Sequence, residues 1–349
     1  VFAATPRDRR ASHLGSAFGM IAFIIRRIGQ SVAVMLAVGF IAFALFNYIG
    51  DPLASMVGQD TSAIEREQLR HQLGLDDPFV VQFGRFLGHA VRGDFGISYQ
   101  YARPVQQLLA ERLPATLELA IVASVLALAL GMPLGVYTGL HRDTWISRLV
   151  MAVSLIGVSL PTFLTGILLI WIFAVVLGWL PSFGRGDVVH LGWWSTGLLT
   201  VSGIKALILP AITLALFQMT LIMRLVRSEM LEVLRTDYIK FARARGLPNR
   251  IVNFGHALKN TLVPVITITG LQLGQIIAFS VITETVFQWP GMGFLIVQAI
   301  GFADVPVMAC YLMLVSAFFV AINLIVDLLY YAVDPRLRLD RTAAAGHGR

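Results

Sequence analysis

Thr236–Pro264 reads TDYIKFARARGLPNRIVNFGHALKNTLVP, a basic, helix-forming stretch set between two apolar runs, Ala206–Met223 and Thr261–Thr283. Each run is close to the ~20 residues that a bilayer-crossing helix needs. Outward from this stretch the same alternation repeats. Ile28–Ile49, Leu117–Gly139, Leu149–Leu177 and Val305–Val333 complete a set of six apolar runs. Of 349 residues 57% are hydrophobic and only 13% are charged, with a mean hydropathy of +0.76. A soluble domain carries roughly 25% charged residues, so lipid has to account for the missing charge. The pattern predicts an all-α polytopic membrane protein with six transmembrane helices. Ile28–Ile49 exceeds the ~7–15-residue apolar core of a signal peptide and is read as an uncleaved first span.

The basic residues give a topology. The net charge of +7 would suit a nucleic-acid binder if it gathered on one soluble face. Here it falls in short segments between apolar runs, so no nucleic-acid partner is expected. Residues 1–27 hold five Lys/Arg, 140–148 two, 224–260 eight and the tail 334–349 four, nineteen of the 27. The other face holds Arg185 and Lys205 in short loops and six arginines in the long segment 50–113. Long segments translocate with little regard to charge. Both termini and the loop 228–260 are therefore expected in the cytoplasm, and 50–113 outside.

Segment 50–113 is polar enough to be a small folded external unit. Ser62–Leu73 reads as a short amphipathic helix, with Ser62 and Glu65 as a capping box, and Gly93-Asp94-Phe95-Gly96 as a turn. Trp179, Trp193 and Trp194 mark an interfacial aromatic belt. Glu118, at the start of the second span, is expected to be exposed at the interface. Pro133, Pro161, Pro210 and Pro264 either break their spans, which lipid tolerates only where protein or a water-filled cavity surrounds the irregular backbone, or merely kink packed helices.

Several chemistries are absent. None of the three lysines, Lys205, Lys240 and Lys259, follows a glycine, so there is no GxxxxGK[ST] phosphate loop. The seven histidines are scattered and Cys310 stands alone, so neither a metal site nor a disulfide framework is expected. No GxSxG elbow appears, and no enzyme activity is assigned. Glu284 and Asp327 are the main acids in the spans, too few for the relay of a proton-coupled carrier. A structural hydrogen bond is the reading favoured for Asp327.

The loop has its own grammar. Asp237–Arg245 is good helix sequence, Gly246 suits the position just past a helix end, and Pro248 suits the first turn of a second helix ending near Asn260. Tyr238, Ala242 and Gly246 recur at four-residue spacing, and small residues there would let a partner's backbone approach. Arg243 and Arg245 add charge at the rim. A rigid helix–turn–helix of this kind fits a groove in a soluble partner. A secondary carrier or channel and a membrane-bound enzyme are the competing classes.

ARARGLPNRIVNFGHALKNTLVPVIT (242–267) resembles the cytoplasmic coupling loop of permease subunits of ATP-binding-cassette (ABC) importers, in the branch that imports peptides and nickel. LGLDDPFVVQFGRFLGHAVRGDFGIS (73–98), RLPATLELA (112–120), SLPTFLTGILL (159–169) and ETVFQWPGMGFLIVQAIGFADVPV (284–307) are similar to the same branch, in consistent order over about residues 20–340. The resemblance implies a permease core over 117–333 and an inner-membrane location. It implies a second, homologous permease, two ATP-binding-cassette ATPase subunits or domains, and an external solute-binding protein as partners. ATP and Mg would belong to the ATPase chains, with no cofactor in this one. The coupling positions carried over are Tyr238, Ala242, Arg243, Ala244, Arg245, Gly246, His256, Asn260 and Pro264. Pro248 stands where the branch often has a Ser cap. Di- or oligopeptides, glutathione-like peptides and nickel chelates all fit the branch.

Overall fold

The computed structural model describes residues 25–44 and 76–333. The Ser62–Leu73 helix with its capping box, and the Asp327 side chain, lie outside the described residues. The fold is almost entirely helical. In chain order the helices are α1 (Ile25–Ala44), α2 (Phe79–Val91), α3 (Val105–Leu140), α4 (Trp145–Ser159), α5 (Thr162–Leu169), α6 (Val201–Val233), α7 (Asp237–Ala244), α8 (Leu258–Val286), α9 (Met292–Gly301) and α10 (Val305–Val333). Four of them, α1, α3, α6 and α10, are each long and apolar enough to cross a membrane. Two bent pairs bring the number to six if each is one crossing.

The centre of the bundle is the pair α3 and α6. Gly131, Gly135 and Gly139 of α3 recur every four residues, which places them on one helical stripe. Ala123 and Ala127 extend the stripe and are fully buried. A Cβ on Gly135 would sit 2.6 Å from Val226 Cβ and 2.7 Å from the Met223 carbonyl; one on Gly131 would sit 2.8 Å from the Met219 carbonyl. The backbones thus meet because no side chain separates them, the means by which helices associate where lipid removes the hydrophobic incentive. Leu214, Ile222, Val226 and Met230 of α6 fill the seam.

Of the four prolines that could break or only kink their spans, Pro161 alone breaks one. Pro133, Pro210 and Pro264 lie inside continuous helices. In a membrane bundle, neighbouring helices and local adjustment absorb the lost N–H. At Pro161 the chain turns by 108° between α4 and the Thr162–Val176 helix, whose last turn and a half, Ile170–Val176, is a π-helix. The α8 helix bends by 45° between Gly270 and Gly274, well past Pro264.

The segments at one end of the bundle are folded. Phe79, Phe83 and Phe86 of α2 pack edge-on or tilted against Phe40 and Phe43 of α1. The 93–96 turn forms as the sequence suggests, with Gly93 and Gly96 at positive φ and the Gly96 N–H donating to Asp94. Between α5 and α6 the chain makes a hairpin not foreseen in the sequence, β1 (Val189–Leu191) against β2 (Trp194–Thr196), in antiparallel register His190 to Ser195. Gly192 at φ +67° supplies the left-handed first corner of its two-residue turn.

Candidate functional site

Opposite the hairpin end, α6 leaves the bundle and the chain builds the exposed loop. Asp237 at the first position of α7 favours the helix N-terminus electrostatically, and Arg243 favours its last turn. Lys240 pairs with Asp237 at 2.8 Å and holds the Asp237 carboxyl below its usual range. The helix ends in a complete Schellman motif: the Gly246 N–H donates to Arg243 and the Leu247 N–H to Ala242, with Gly246 at φ +79°. The sequence expectation for Gly246 therefore holds in detail. Pro248 does not enter the following helix. Its carbonyl accepts from the Ile251 and Val252 N–H groups and so opens it. That helix runs as a π-helix over Ile251–Ala257 and continues into α8 without the expected stop near Asn260. A π-helix of this length is rare and usually marks functional positions.

The two faces of α7 divide the sequence-derived residues. Ile239 and Ala242 point inward into the same buried apolar cluster as Val252, Ala257 and Met230. The small Ala242 thus serves the chain's own packing instead of a partner's approach, and Gly246 lies beyond the helix instead of on its face. Pro264 is half-buried inside α8. Tyr238, Arg243, Ala244, Arg245, Gly246, His256 and Asn260 are exposed. Asn260 donates to the Tyr238 hydroxyl at 2.6 Å, which ties α7 to the start of α8. The outward surface also holds residues the sequence reading passed over. Phe241 is 61% exposed, with the Arg245 guanidinium 4.9 Å from its ring centre, and Ile251 and Phe254 of the following π-helix are exposed as well. The i, i+3 pair Tyr238 and Phe241, out of phase with Ile239 and Ala242, was the available signal.

The other end carries buried carboxylates. Glu118 is not interfacial. The loop after α5 folds back and inserts Arg185 over it, with side-chain exposures of 7% for Arg185 and 2% for Glu118. The Glu118 carboxylate also accepts from the Thr196 hydroxyl and from the Gly197 and Leu198 N–H groups. Arg185 in turn donates to Ser195 of the hairpin and lies 5.8 Å from the Trp289 ring centre. Glu284 accepts from Thr116 at 2.7 Å and from the Phe294 N–H at 3.0 Å, so its carboxylate caps the N-terminus of α9. Trp289 is fully buried and donates to the Ala115 carbonyl at 2.9 Å. Asp304 accepts from Ser98 and from the Gln100 N–H, pinning the chain before α3 to the start of α10. These acids fasten one end of the bundle; they form no relay.

A family model described as "Binding-protein-dependent transport system inner membrane component" matches residues 131–339, and one for the N-terminal part of such components matches 20–120. A putative peptide transport system permease protein of Brucella abortus is 41% identical over 324 residues, spanning 92% of this chain and all of that one. The dipeptide transport system permease protein DppB of Alkalihalophilus pseudofirmus is 38% identical over 332 residues, spanning 91% and 100%. The glutathione transport system permease protein GsiC of Escherichia coli is 36% identical over 320 residues, spanning 91% and 99%. Among solved structures, the inward-facing MetNI methionine ABC transporter matches with a TM-score of 0.51 at 21% identity, covering 65% of this chain and 96% of that one. That last likeness speaks for the fold alone.

Proposed function

Since the chain belongs to the family of binding-protein-dependent transport system inner-membrane components, the permease subunits of ABC importers, we propose that it forms half of a peptide translocation pathway and is driven by a separate ATPase. Docking occurs through residues 236–264, at Tyr238, Arg243, Ala244, Arg245, Gly246, His256 and Asn260, with Phe241, Ile251 and Phe254 completing the surface. The observation that carries this reading is the loop itself. It is locked by a Schellman turn, anchored by buried Ile239 and Ala242, and yet presents aromatic and cationic side chains outward. Large exposed aromatics beside arginine are the residue types that dominate binding interfaces.

In this reading the loop lies in the cytoplasm with both termini. A second permease completes the pathway, and two ATPase subunits or domains, holding ATP and Mg, push on the two loops. Because α7 packs against the π-helix that runs straight into α8, and Thr261 of α8 in turn meets Met230 of α6 at 3.3 Å, a push on α7 is passed to both helices. An external solute-binding protein supplies the cargo. The cargo class is di- or oligopeptides, supported by the names of the relatives; glutathione, itself a small peptide, is the second reading, supported by the GsiC likeness.

The test reconstitutes the chain with its cognate subunits in vesicles. Phe241→Ala with Arg245→Ala is expected to leave insertion and melting unchanged and to abolish stimulation of ATP hydrolysis by loaded binding protein. Full peptide uptake by that variant, or uptake by this chain without ATP, would overturn the docking assignment.

A further inference from the structure

Arg148 in the first turn of α4, and Arg224 and Arg227 in the last third of α6, are among the described arginines that make no ion pair. They line one cavity of about 360 Å³ with Met151, Ala152 and Leu155 of α4. Among the described residues no carboxylate lines it. The side-chain hydrogen bond of Arg148 is a long one, 3.4 Å to the Asp143 carbonyl. Three cations brought to one cavity repel each other unless an anion sits among them, and guanidinium forks match a phosphate two bonds at a time.

The position of the cavity selects the kind of anion. Arg227 and Arg224 lie six and nine residues before the end of α6 at Val233, about 9 and 14 Å along the axis. Arg148 is one turn from Trp145, which is 71% exposed, and an exposed Trp at a helix end sits at the membrane–water boundary. Leu155 is about 10 Å further along α4 than Arg148, and exposed Leu149 and Val153 flank the same surface. A charged mouth at headgroup depth thus continues into an apolar wall that a free ion would not use.

We propose that Arg148, Arg224 and Arg227 bind the phosphate of an anionic phospholipid in the leaflet on the α7 side, with an acyl chain laid along Met151 and Leu155. Basic pockets between spans bind lipid headgroups in this way, at about 1 kcal/mol for each Lys or Arg. That corresponds to about 5-fold in affinity per arginine. The site depends neither on the cargo nor on the ATPase.

The experiment is native mass spectrometry of the full-length chain with its co-purifying subunits, titrated with phosphatidylglycerol, phosphatidylcholine or inorganic phosphate. Phosphatidylglycerol is expected to bind in preference to phosphatidylcholine. Arg224→Gln with Arg227→Gln should weaken it about 25-fold and leave phosphatidylcholine unchanged. The double Lys variant, which keeps charge but not the fork, should retain most of the binding. If the Gln pair does not fold, Arg148→Gln carries the comparison at about 5-fold, since its side chain is exposed. Unchanged phosphatidylglycerol binding in the Gln variants would overturn the site. Displacement of the lipid by inorganic phosphate would reassign it to a free anion. Cross-linking from Ala152→Cys to a protein subunit instead of lipid would show that a partner chain fills the cavity, and would overturn the lipid assignment too.

Discussion

Replacing Glu118 by Ala would strand the Arg185 guanidinium where water has almost no access. It would also orphan the Thr196 hydroxyl and the Gly197 N–H, and leave the Leu198 N–H only its bond to the Thr196 hydroxyl oxygen. Removing one partner of a buried ion pair costs about 3–5 kcal/mol, and each unsatisfied buried donor about 1–3 kcal/mol. Water entering the vacated space offsets part of that, so a net loss of about 4 kcal/mol is expected, a large share of the ~5–15 kcal/mol that holds a folded chain together. Arg185→Met should cost less, because the carboxylate keeps its other three donors. The double variant removes both charges and should be more stable than Glu118→Ala alone, since an apolar replacement of a whole buried pair is often neutral. The assay is thermal melting in detergent micelles for the wild type, both single variants and the double. Strict additivity, with the double variant the least stable of the four, would refute the claim that Arg185 and Glu118 are coupled by burial.

Gly135→Leu should separate α3 from α6, because even its Cβ would collide with Val226 and with the Met223 backbone; little folded protein should survive detergent extraction, and normal yield would sink the glycine-seam account. Gly246→Ala puts a Cβ at φ +79°, where an L residue costs roughly 1–2 kcal/mol, with open space around it. Hydrogen exchange at the Leu247 amide should rise while global melting moves little. The Asp94 carboxyl is held below its usual range by the Gly96 N–H first and the His89 side chain second. Its contribution is therefore fully present above the ordinary carboxylate pKa of about 3.9 and is lost as pH falls through the lowered value. Protection of the Gly96 amide should fall with acidification, and Asp94→Asn should remove that dependence.

Much of the fold was legible because lipid imposes a coarse rule: each crossing needs a long apolar run. Gly246 was equally legible, because a helix ending left-handed selects glycine whatever surrounds it. The prolines left two readings open, a break or a kink. Whether Pro133 breaks a helix depends on the neighbours that absorb its missing N–H, and of those four prolines only Pro161 lacks a continuous helix around it. Ala242 misled. Its small size is visible in the sequence, but which face of α7 it occupies is fixed by the buried apolar cluster it shares with Val252 and Ala257. The Gly131, Gly135 and Gly139 stripe was there to be read at its four-residue spacing. Its partner, α6, was not, because helix pairing in a bundle is a three-dimensional choice.

By itself, then, the sequence determined a polytopic helical protein, the absence of a phosphate loop, and a polar basic loop with a helix–Gly ending. Each follows from local composition or from one residue's backbone preference. Tertiary structure alone decided that Glu118 meets Arg185 67 residues away, that Asp304 holds Ser98 across 206, and that Phe241 faces outward while Ile239 faces in. A buried charge is tolerated only when chain folding delivers its partner, and no spacing along the chain encodes that meeting.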